Sequence, residues 1–586
     1  MATVNDSIDD SSSVQGASFS MTHKVSGNKD KIFKSFDKYR KELRARSLTI
    51  PLILLLVYIS SIPVCNHILL NIANDISIPL NSSCYVNHHD GPLAFGIGTI
   101  ILNAIGFFIP FCGWLSDTKI GRGNAIYLSL WLGWIGTLLR SIGCCLQYNS
   151  CGTAALIGRY AFSSIAIIFL FVSLALMATN IIAYGMDQMM TVPSVKIRTF
   201  IHWTVWDYYF CDNAIAYTDS LPSADYQTGA LSIAVTGFSL LSVSLCLHFF
   251  LSHHFEHIPI PNPYRIVFKV LKFFLQNNGR QQRSAFTYWG EEPSRMDLAK
   301  ERYGGSFTHE EVENVKTFLR IVAVLFALFP FFIISNPFMY GISRLVPQYK
   351  NGDVGLQRYA IRVVGYGILL ALIPLFELII LPLFPKLEYF LINPLRGLGV
   401  AYIFVIFSIL SLFFIDLIGR VTSKPIDIPC FTVWETSDSA VQISYWILLI
   451  PSLLTGTSLV LLWICFFEFL CSQAPFGMHG MIIGLFWFLR NIFFDIGSGI
   501  TLSFRFFTFS STSVISCTSW FTIVFGLIAV VGLVVYVLVA RWYVKRVRDT
   551  DLGLRTAIED NFEQRLAREN SFIMKNTNTI KPINCE

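Results

Sequence analysis

The sequence predicts an all-α, polytopic membrane protein with about twelve transmembrane helices in two six-helix bundles, and three observations predict it. Of 586 residues, 53% are hydrophobic and 14% charged, and the mean hydropathy is +0.55; soluble proteins carry about a quarter charged residues. Apolar stretches of about 20 residues, each able to cross about 30 Å of hydrocarbon as a helix, recur with short polar breaks. One long charged interruption, 252–313, divides them evenly.

The spans centre near Leu55, Ile101, Leu132, Phe169, Trp206, Leu241, Leu325, Ala371, Val405, Leu459, Phe486 and Leu527. This organisation gives an N-terminal arm (1–46), an N-terminal bundle (47–251), a linker (252–313), a C-terminal bundle (314–543) and a tail (544–586). The first ~30 and last ~35 residues are polar and predicted to be partly disordered. The opening "MATVNDSIDDSSSVQ" has no apolar run, so no signal peptide is expected. In the linker, "THEEVENVK" offers Thr308 as an N-cap with acids in the first turn, which predicts a helix leading into the seventh span.

Basic residues set the orientation, because Lys and Arg near span ends stay on the cytoplasmic side. They cluster in the arm from Lys24 to Arg46, at Lys119 and Arg122, at Lys196 and Arg198, from Arg265 to Lys316, at Lys386 and Arg396, and in the tail from Arg541 to Arg548. That parity puts both termini in the cytoplasm, although Arg344, Lys350 and Arg358 run against it. The sequon at Asn81 then falls in the first external loop, where it can be glycosylated, while a second at Asn5 falls inside and stays silent. The thirteen cysteines show no metal-ligand or redox spacing and read as small packing groups; Cys84, Cys151 and Cys430, in or near external loops, are the ones available for a disulfide. With no nucleophile–base pairing, metal cluster or phosphate loop, no enzyme, metal, cofactor or nucleic-acid partner is expected. The lipid bilayer is the partner that composition implies.

Charge gathers at "GWLSDTKIGR". Gly113 to Asp117 end span two, Lys119 and Arg122 begin the return, and Gly121 allows a tight turn. A carboxylate and bases at such a junction can pair with each other or with neighbouring helix ends and close that side in one conformation. The plainer alternative is a solvated loop obeying the basic-loop rule.

Several stretches narrow the choice. "GWLSDTKIGRGNAI" is similar to G-G-x-L-A-D-x-x-L-G-R-Y-x-T-I, "AYGMDQM" (Ala183 to Met189) to A-F-G-A-D-Q-F, "FIHWTVW" (Phe200 to Trp206) to F-F-x-W-F-Y-W, and "FEFLCSQAPFGMHG" (Phe467 to Gly480) to E-F-x-Y-S-Q-A-P-x-x-M-x-G. In this order they resemble the proton-coupled oligopeptide transporter family of the major facilitator superfamily, and "PSRMDLAKERYGGSFTHEEVENVKTFLRI" resembles its animal peptide/histidine branch. The resemblance implies a central cavity, alternating access, transport of di- or tripeptides or of amino acids such as histidine, and proton symport as the family default. It also implies gating roles for Gly113, Asp117, Gly121, Arg122, Asp187 and Gln188.

The departures bear on coupling. The family's first span carries E-x-x-E-R, and the matching positions here are Tyr58, Ser61 and Ile62. The family's span-four lysine falls at Ala178 and a span-ten carboxylate at Leu459. Glu468 survives, and in the family the matching glutamate receives the peptide's amino group. Charge is costly in a membrane, so its loss makes proton coupling doubtful. New ionisable residues are Asp207 and Asp212 in span five and Arg490 and Asp495 in span eleven. An Arg490–Glu468 pair is expected, since pairing lowers the cost of both charges. Trp203 and Trp206 are candidates to stack on substrate or to pack spans. Pro374 and Pro382 bracket a broken helix around Glu377, and His67 reads as a polar packing residue.

Glu468, Trp203, Trp206 and Arg490 are therefore the candidate substrate-binding set. Two rival readings stay open: a transport-deficient relative whose linker and tails bind cytoplasmic signalling partners, and an uncoupled facilitator of another small organic solute. The stretch "YRIV" (Tyr264 to Val267) fits a Y-x-x-Φ sorting signal but is too short to decide between plasma and endolysosomal membrane.

Overall fold

The computed structural model describes residues 49–76, 106–149, 153–189, 194–219, 226–256, 264–276, 294–346, 349–352, 356–385, 393–422, 441–504 and 517–544. Asn5, Asn81, Cys84, Cys151, Cys430, Lys386, the N-terminal arm and the tail beyond residue 544 lie outside them.

Without water to satisfy peptide groups, a single apolar segment can cross a bilayer only as a helix, and helices dominate the structure. The first half contains α1 (Thr49–Ile76), α2 (Ile109–Leu115), α3 (Arg122–Asn149), α4 (Thr153–Gln188), α5 (Ser194–Asp219) and α6 (Tyr226–Leu251). A linker helix, α7 (Tyr264–Gln276), follows. The second half contains α8 (His309–Ala327), α9 (Phe329–Arg344), α10 (Leu356–Pro374), α11 (Pro394–Thr422), α12 (Leu449–Gln473), α13 (His479–Ser503) and α14 (Cys517–Trp542). Ten described helical spans are long and apolar enough to cross a membrane, α8 and α9 counting as one. The two expected spans not among these ten are span two, described only from residue 106, and α5, which has Asp207 and Asp212 inside it.

Proline explains two interruptions, because it removes a helical N–H. Pro330 starts α9 just after the break at Leu328, and Pro374 is followed by a π-helical segment, Leu375–Ile380, where the sequence predicts a broken helix. The cap at Thr308 is also as predicted: its hydroxyl accepts from the Glu311 N–H, and the Glu311 carboxylate accepts from the Thr308 N–H.

In the first half α1 packs on α4, α5 and α6, and α3 on α4 and α6. In the second, α9 packs on α10, α13 and α14, α11 on α12 and α14, and α10 on α12. The halves meet where α2 and α4 contact α13 and where α5 contacts α10 and α12. Large apolar side chains such as Phe107, Ile168, Phe249, Leu527 and Leu538 are exposed on the perimeter, as a surface facing lipid requires.

Candidate functional site

At the linker end of α2 the chain passes through a π-helical turn, Ser116–Ile120, and Gly121 takes φ +83° before α3 begins. Glycine adopts that left-handed conformation without steric penalty. The turn carries Asp117 and Arg122 inward, to 3% and 2% exposure, where a solvated loop would leave them in water. Arg122 Nε donates to Asp117 Oδ1 at 2.8 Å, and Nη1 donates to both Asp187 oxygens at 2.7 and 2.8 Å. Asp117 Oδ2 accepts from the Tyr264 hydroxyl of α7 at 2.7 Å and from the Met481 N–H in the first turn of α13 at 3.0 Å. One carboxylate thus joins the first half, the linker helix and the second half, and it sits where a helix N-terminus best holds an anion.

The close approach of α2 and α13 depends on absent side chains. A Cβ on Gly113 would lie 2.3 Å from the Gly480 carbonyl oxygen, and a Cβ on Gly480 would lie 2.7 Å from Asp117 Oδ1. Beside this junction, the Gln188 amide donates to the Glu256 carbonyl at 2.8 Å and accepts from the Glu256 N–H at 3.0 Å, tying the chain after α6 to the end of α4.

Further from the linker end, a cavity opens between the halves. Ile59 and Ile62 of α1, Ala178 of α4 and Tyr208 of α5 form one side. Trp463 and Phe467 of α12 and Trp487 of α13 form the other. Among the described residues, no Asp, Glu, Lys, Arg or His lines it. Ile62 and Ala178, at positions where the resembling family carries charge, thus present apolar side chains to the cavity. Tyr58 and Ser61 turn elsewhere, Tyr58 to His248 Nδ1 at 3.0 Å and Ser61 to the Tyr58 carbonyl and the Met177 sulfur.

The expected Glu468–Arg490 pair is not formed. Arg490 lies over the rings of Trp463 and Trp487, at 5.5 and 5.3 Å from their centroids, and its Nη1 donates to Asn491 at 3.4 Å. The reason is depth. Trp463 stands ten residues before the end of α12 and Arg490 eleven after the start of α13, whereas Glu468 stands only five before that end. At about 1.5 Å per residue, Glu468 is roughly 7 Å nearer the linker end.

Glu468 faces α5 instead. Its Oε1 lies 3.2 Å from His202 Nε2 and 3.9 Å from Arg198 Nε. The other ring nitrogen of His202, Nδ1, lies 2.5 Å from Glu377 Oε1, and the Thr199 hydroxyl donates to Glu377 Oε2 at 3.1 Å. Trp206 donates to the Leu370 carbonyl of α10 at 2.9 Å and stacks on Phe210, with Trp203 edge-on to it. Neither tryptophan is among the residues lining the cavity, and Trp206 ties α5 to α10. Asp207 accepts from Ser60 at 3.0 Å, and Asp212 is 3.2 Å from His67 Nε2, so the new acids of α5 face α1.

Sequence reasoning passed over His202 and gave Tyr264 a different role. His202 stands at the variable position of the "FIHWTVW" stretch, and the available signal was an imidazole in a membrane segment whose nearest charge is Arg198. Tyr264 reads as part of a sorting motif, yet its ring is buried and its hydroxyl is held by Asp117.

The fold and the motif order agree with comparisons to known proteins. A family model described as the POT family matches residues 233–521. Solute carrier family 15 member 3 of Mus musculus is 23% identical over 474 residues, covering 73% of this chain and 79% of that protein. Its Rattus norvegicus counterpart is 22% identical over 481 residues, covering 73% and 80%. Among solved structures, an auto-inhibited POT family peptide transporter aligns over 85% of this chain and 99% of its own, with TM-score 0.55 and 15% identity. The POT family transporter PepTSo aligns over 83% and 98%, with TM-score 0.53 and 15% identity. Over residues 233–521 the chain thus matches the POT family, while its first span is uncharged between Thr49 and Ala73.

Proposed function

We propose that this protein carries small peptides, or amino acids such as histidine, across a membrane by alternating access, with its linker end and both termini in the cytoplasm. The observation that carries this reading is a cavity between two helical halves, with polar links joining those halves nearer the linker end. Asp117 reaches the Met481 N–H on one side, and His202 reaches Glu377 and Glu468 on the other. Rocking the halves apart would break both links together and expose the cavity. Gly113, Asp117, Gly121, Arg122, Asp187 and Gln188 act as the gate.

The cavity's aromatic walls suit an apolar or aromatic substrate side chain. Arg490, oriented by its two tryptophans, is placed to take a carboxylate, with which a guanidinium forms paired hydrogen bonds. Glu468 takes an ammonium once it leaves His202, and Trp206, with Trp203 edge-on to it, holds α5 to α10. The names of the relatives and structural neighbours, solute carriers and peptide transporters, favour this substrate class. The membrane is the plasma or endolysosomal membrane. Purified full-length protein in liposomes should show saturable uptake of alanyl-phenylalanine or of L-histidine. Well-folded protein that takes up neither would overturn the reading.

A further inference from the structure

We propose that His202, Glu377 and Glu468 form a proton-binding site that holds the linker end closed when occupied and lets it open when emptied. This rests on the transport reading for its use in symport, but the site itself stands on a count of protons. Both nitrogens of one imidazole face carboxylate oxygens, at 2.5 and 3.2 Å. Two hydrogen bonds need two protons, and a neutral imidazole has one. The second must therefore be bound, on the ring or on a carboxyl group, for the arrangement to exist.

Charge gives the same answer. With the proton present, imidazolium and Arg198 balance Glu377 and Glu468. Without it, two carboxylates confront a neutral ring in a buried contact between the halves, where charge repulsion is weakly screened. Neighbouring elements bring no substitute. In and around the π-helical segment after α10 no other acidic or basic residue lies within eight positions of Glu377, and α1 has no Asp, Glu, Lys or Arg between Thr49 and Ala73. Between Thr49 and Ala73 the ionisable groups of α1 are Tyr58, which binds His248 of α6, Cys65, and His67, which meets Asp212 far along α5; Asp75 stands at the far end of the helix. On α12 the nearest are the thiols Cys465 and Cys471, one turn either side of Glu468. At the end of α4, Asp187 is engaged by Arg122.

The site forms the floor of the cavity, since Phe467 and Thr204, beside Glu468 and His202, line it. A proton arriving from the cavity side completes the floor. On opening, one N–H or O–H bond breaks and the proton passes to water at the linker end, leaving neutral imidazole and two carboxylates. A proton and a substrate then cross in the same cycle, although the charged groups of the family's first span are absent.

The test uses full-length protein and labelling of Cys471, buried one turn from Glu468, by a water-soluble maleimide. Rates are normalised to the same cysteine in denatured protein at each pH. Between about pH 5.5 and about pH 8, normalised labelling should rise, approaching tenfold per pH unit where the site empties, the slope of one-proton linkage. His202→Gln should label fast at every pH, because its amide carries both donors on a single nitrogen and cannot span the two carboxylates as the two ring nitrogens do. Glu377→Gln should label slowly at every pH: its amide donates to Nδ1 while Nε2–H donates to Glu468, so the link needs no added proton. Asp117→Asn should raise labelling and keep the slope.

A flat wild-type profile, or a slope retained in Glu377→Gln, would overturn the proposal, and the second arm stands even if His202→Gln fails to fold. Uptake of alanyl-phenylalanine into liposomes with acid outside separates the two readings. The expected labelling pattern without uptake would remove the transport reading and keep the proton site. Uptake with flat labelling would do the reverse.

Discussion

Asp117 concentrates the gate in one side chain: both of its oxygens are used, by Arg122, Tyr264 and Met481. Asp117→Asn keeps the shape but removes the charge facing Arg122. Stranding one partner of a buried ion pair costs about 3 to 5 kcal/mol, and the remaining Asp187 contact reduces that figure here. The expected outcome is faster labelling of Cys471 with an unchanged circular-dichroism spectrum; unchanged labelling would remove Asp117 from the gate. Gly113→Ala reaches the same end by sterics, since its new methyl would meet the Gly480 carbonyl oxygen at 2.3 Å and must part α2 from α13. At this scale the sequence was partly legible. The junction around Asp117 was readable because its residues are close in sequence and sit at a basic turn. The pairing of Glu468 was not, because charge alone suggests Arg490, whereas helix depth and the facing element decide for His202.

Local rules carried the elements. The Thr308 cap and the break after Pro374 follow from a hydroxyl before a run of acids and from a missing N–H, and both are visible in a short window of sequence. Which acids meet across the linker is a longer-range matter. Lys300 contacts Asp297 and Glu313 at 2.5 and 2.7 Å, and Lys316 contacts the same acids at 2.5 and 3.3 Å, which fastens the linker to the first turns of α8. Burial alone would raise the Asp297 carboxyl, but hydrogen bonds from Lys300 and Lys316 outweigh it and hold it well below the usual carboxylate range. Burial likewise works against the Lys300 ammonium, and its bonds to Asp297 and Glu313 raise it. A lowered acid contributes stability above its unfolded pKa and loses it as pH falls through the folded value; a raised base contributes below its unfolded pKa and loses it as pH rises through the folded value. Protease resistance of the linker should thus be flat between about pH 5 and about pH 10 and decline outside that window. A change near neutral pH would contradict this assignment, and flatness there separates the linker from the His202 site. Thr308→Ala should cost about 1 kcal/mol at the start of α8, read as earlier proteolysis of the linker.

The whole molecule adds orientation and cooperation. If the linker end faces the cytoplasm, Asn81 is external, enzymatic deglycosylation shifts the protein's gel mobility, and Asn81→Gln abolishes the shift. A shift that instead depends on Asn5 would invert the orientation. Cooperation follows from where the two links lie. Asp117 joins the turn after α2 to α13, and His202 joins α5 to the π-helical segment after α10 and to α12, so they share no partner. If the halves rock as rigid bodies, both links break in one opening step, and each contributes to the same equilibrium. Their free energies should then add to within about 0.5 kcal/mol, as for distant sites without shared contacts. In labelling terms the fold-increases from Asp117→Asn and His202→Gln multiply in the double variant while the protein is still mostly closed. If each link instead guards only its own local opening, the route freed by His202→Gln already exposes Cys471, and adding Asp117→Asn changes nothing. A double variant that labels at the product of the two increases supports rocking of the halves; one that labels at the His202→Gln rate rules it out.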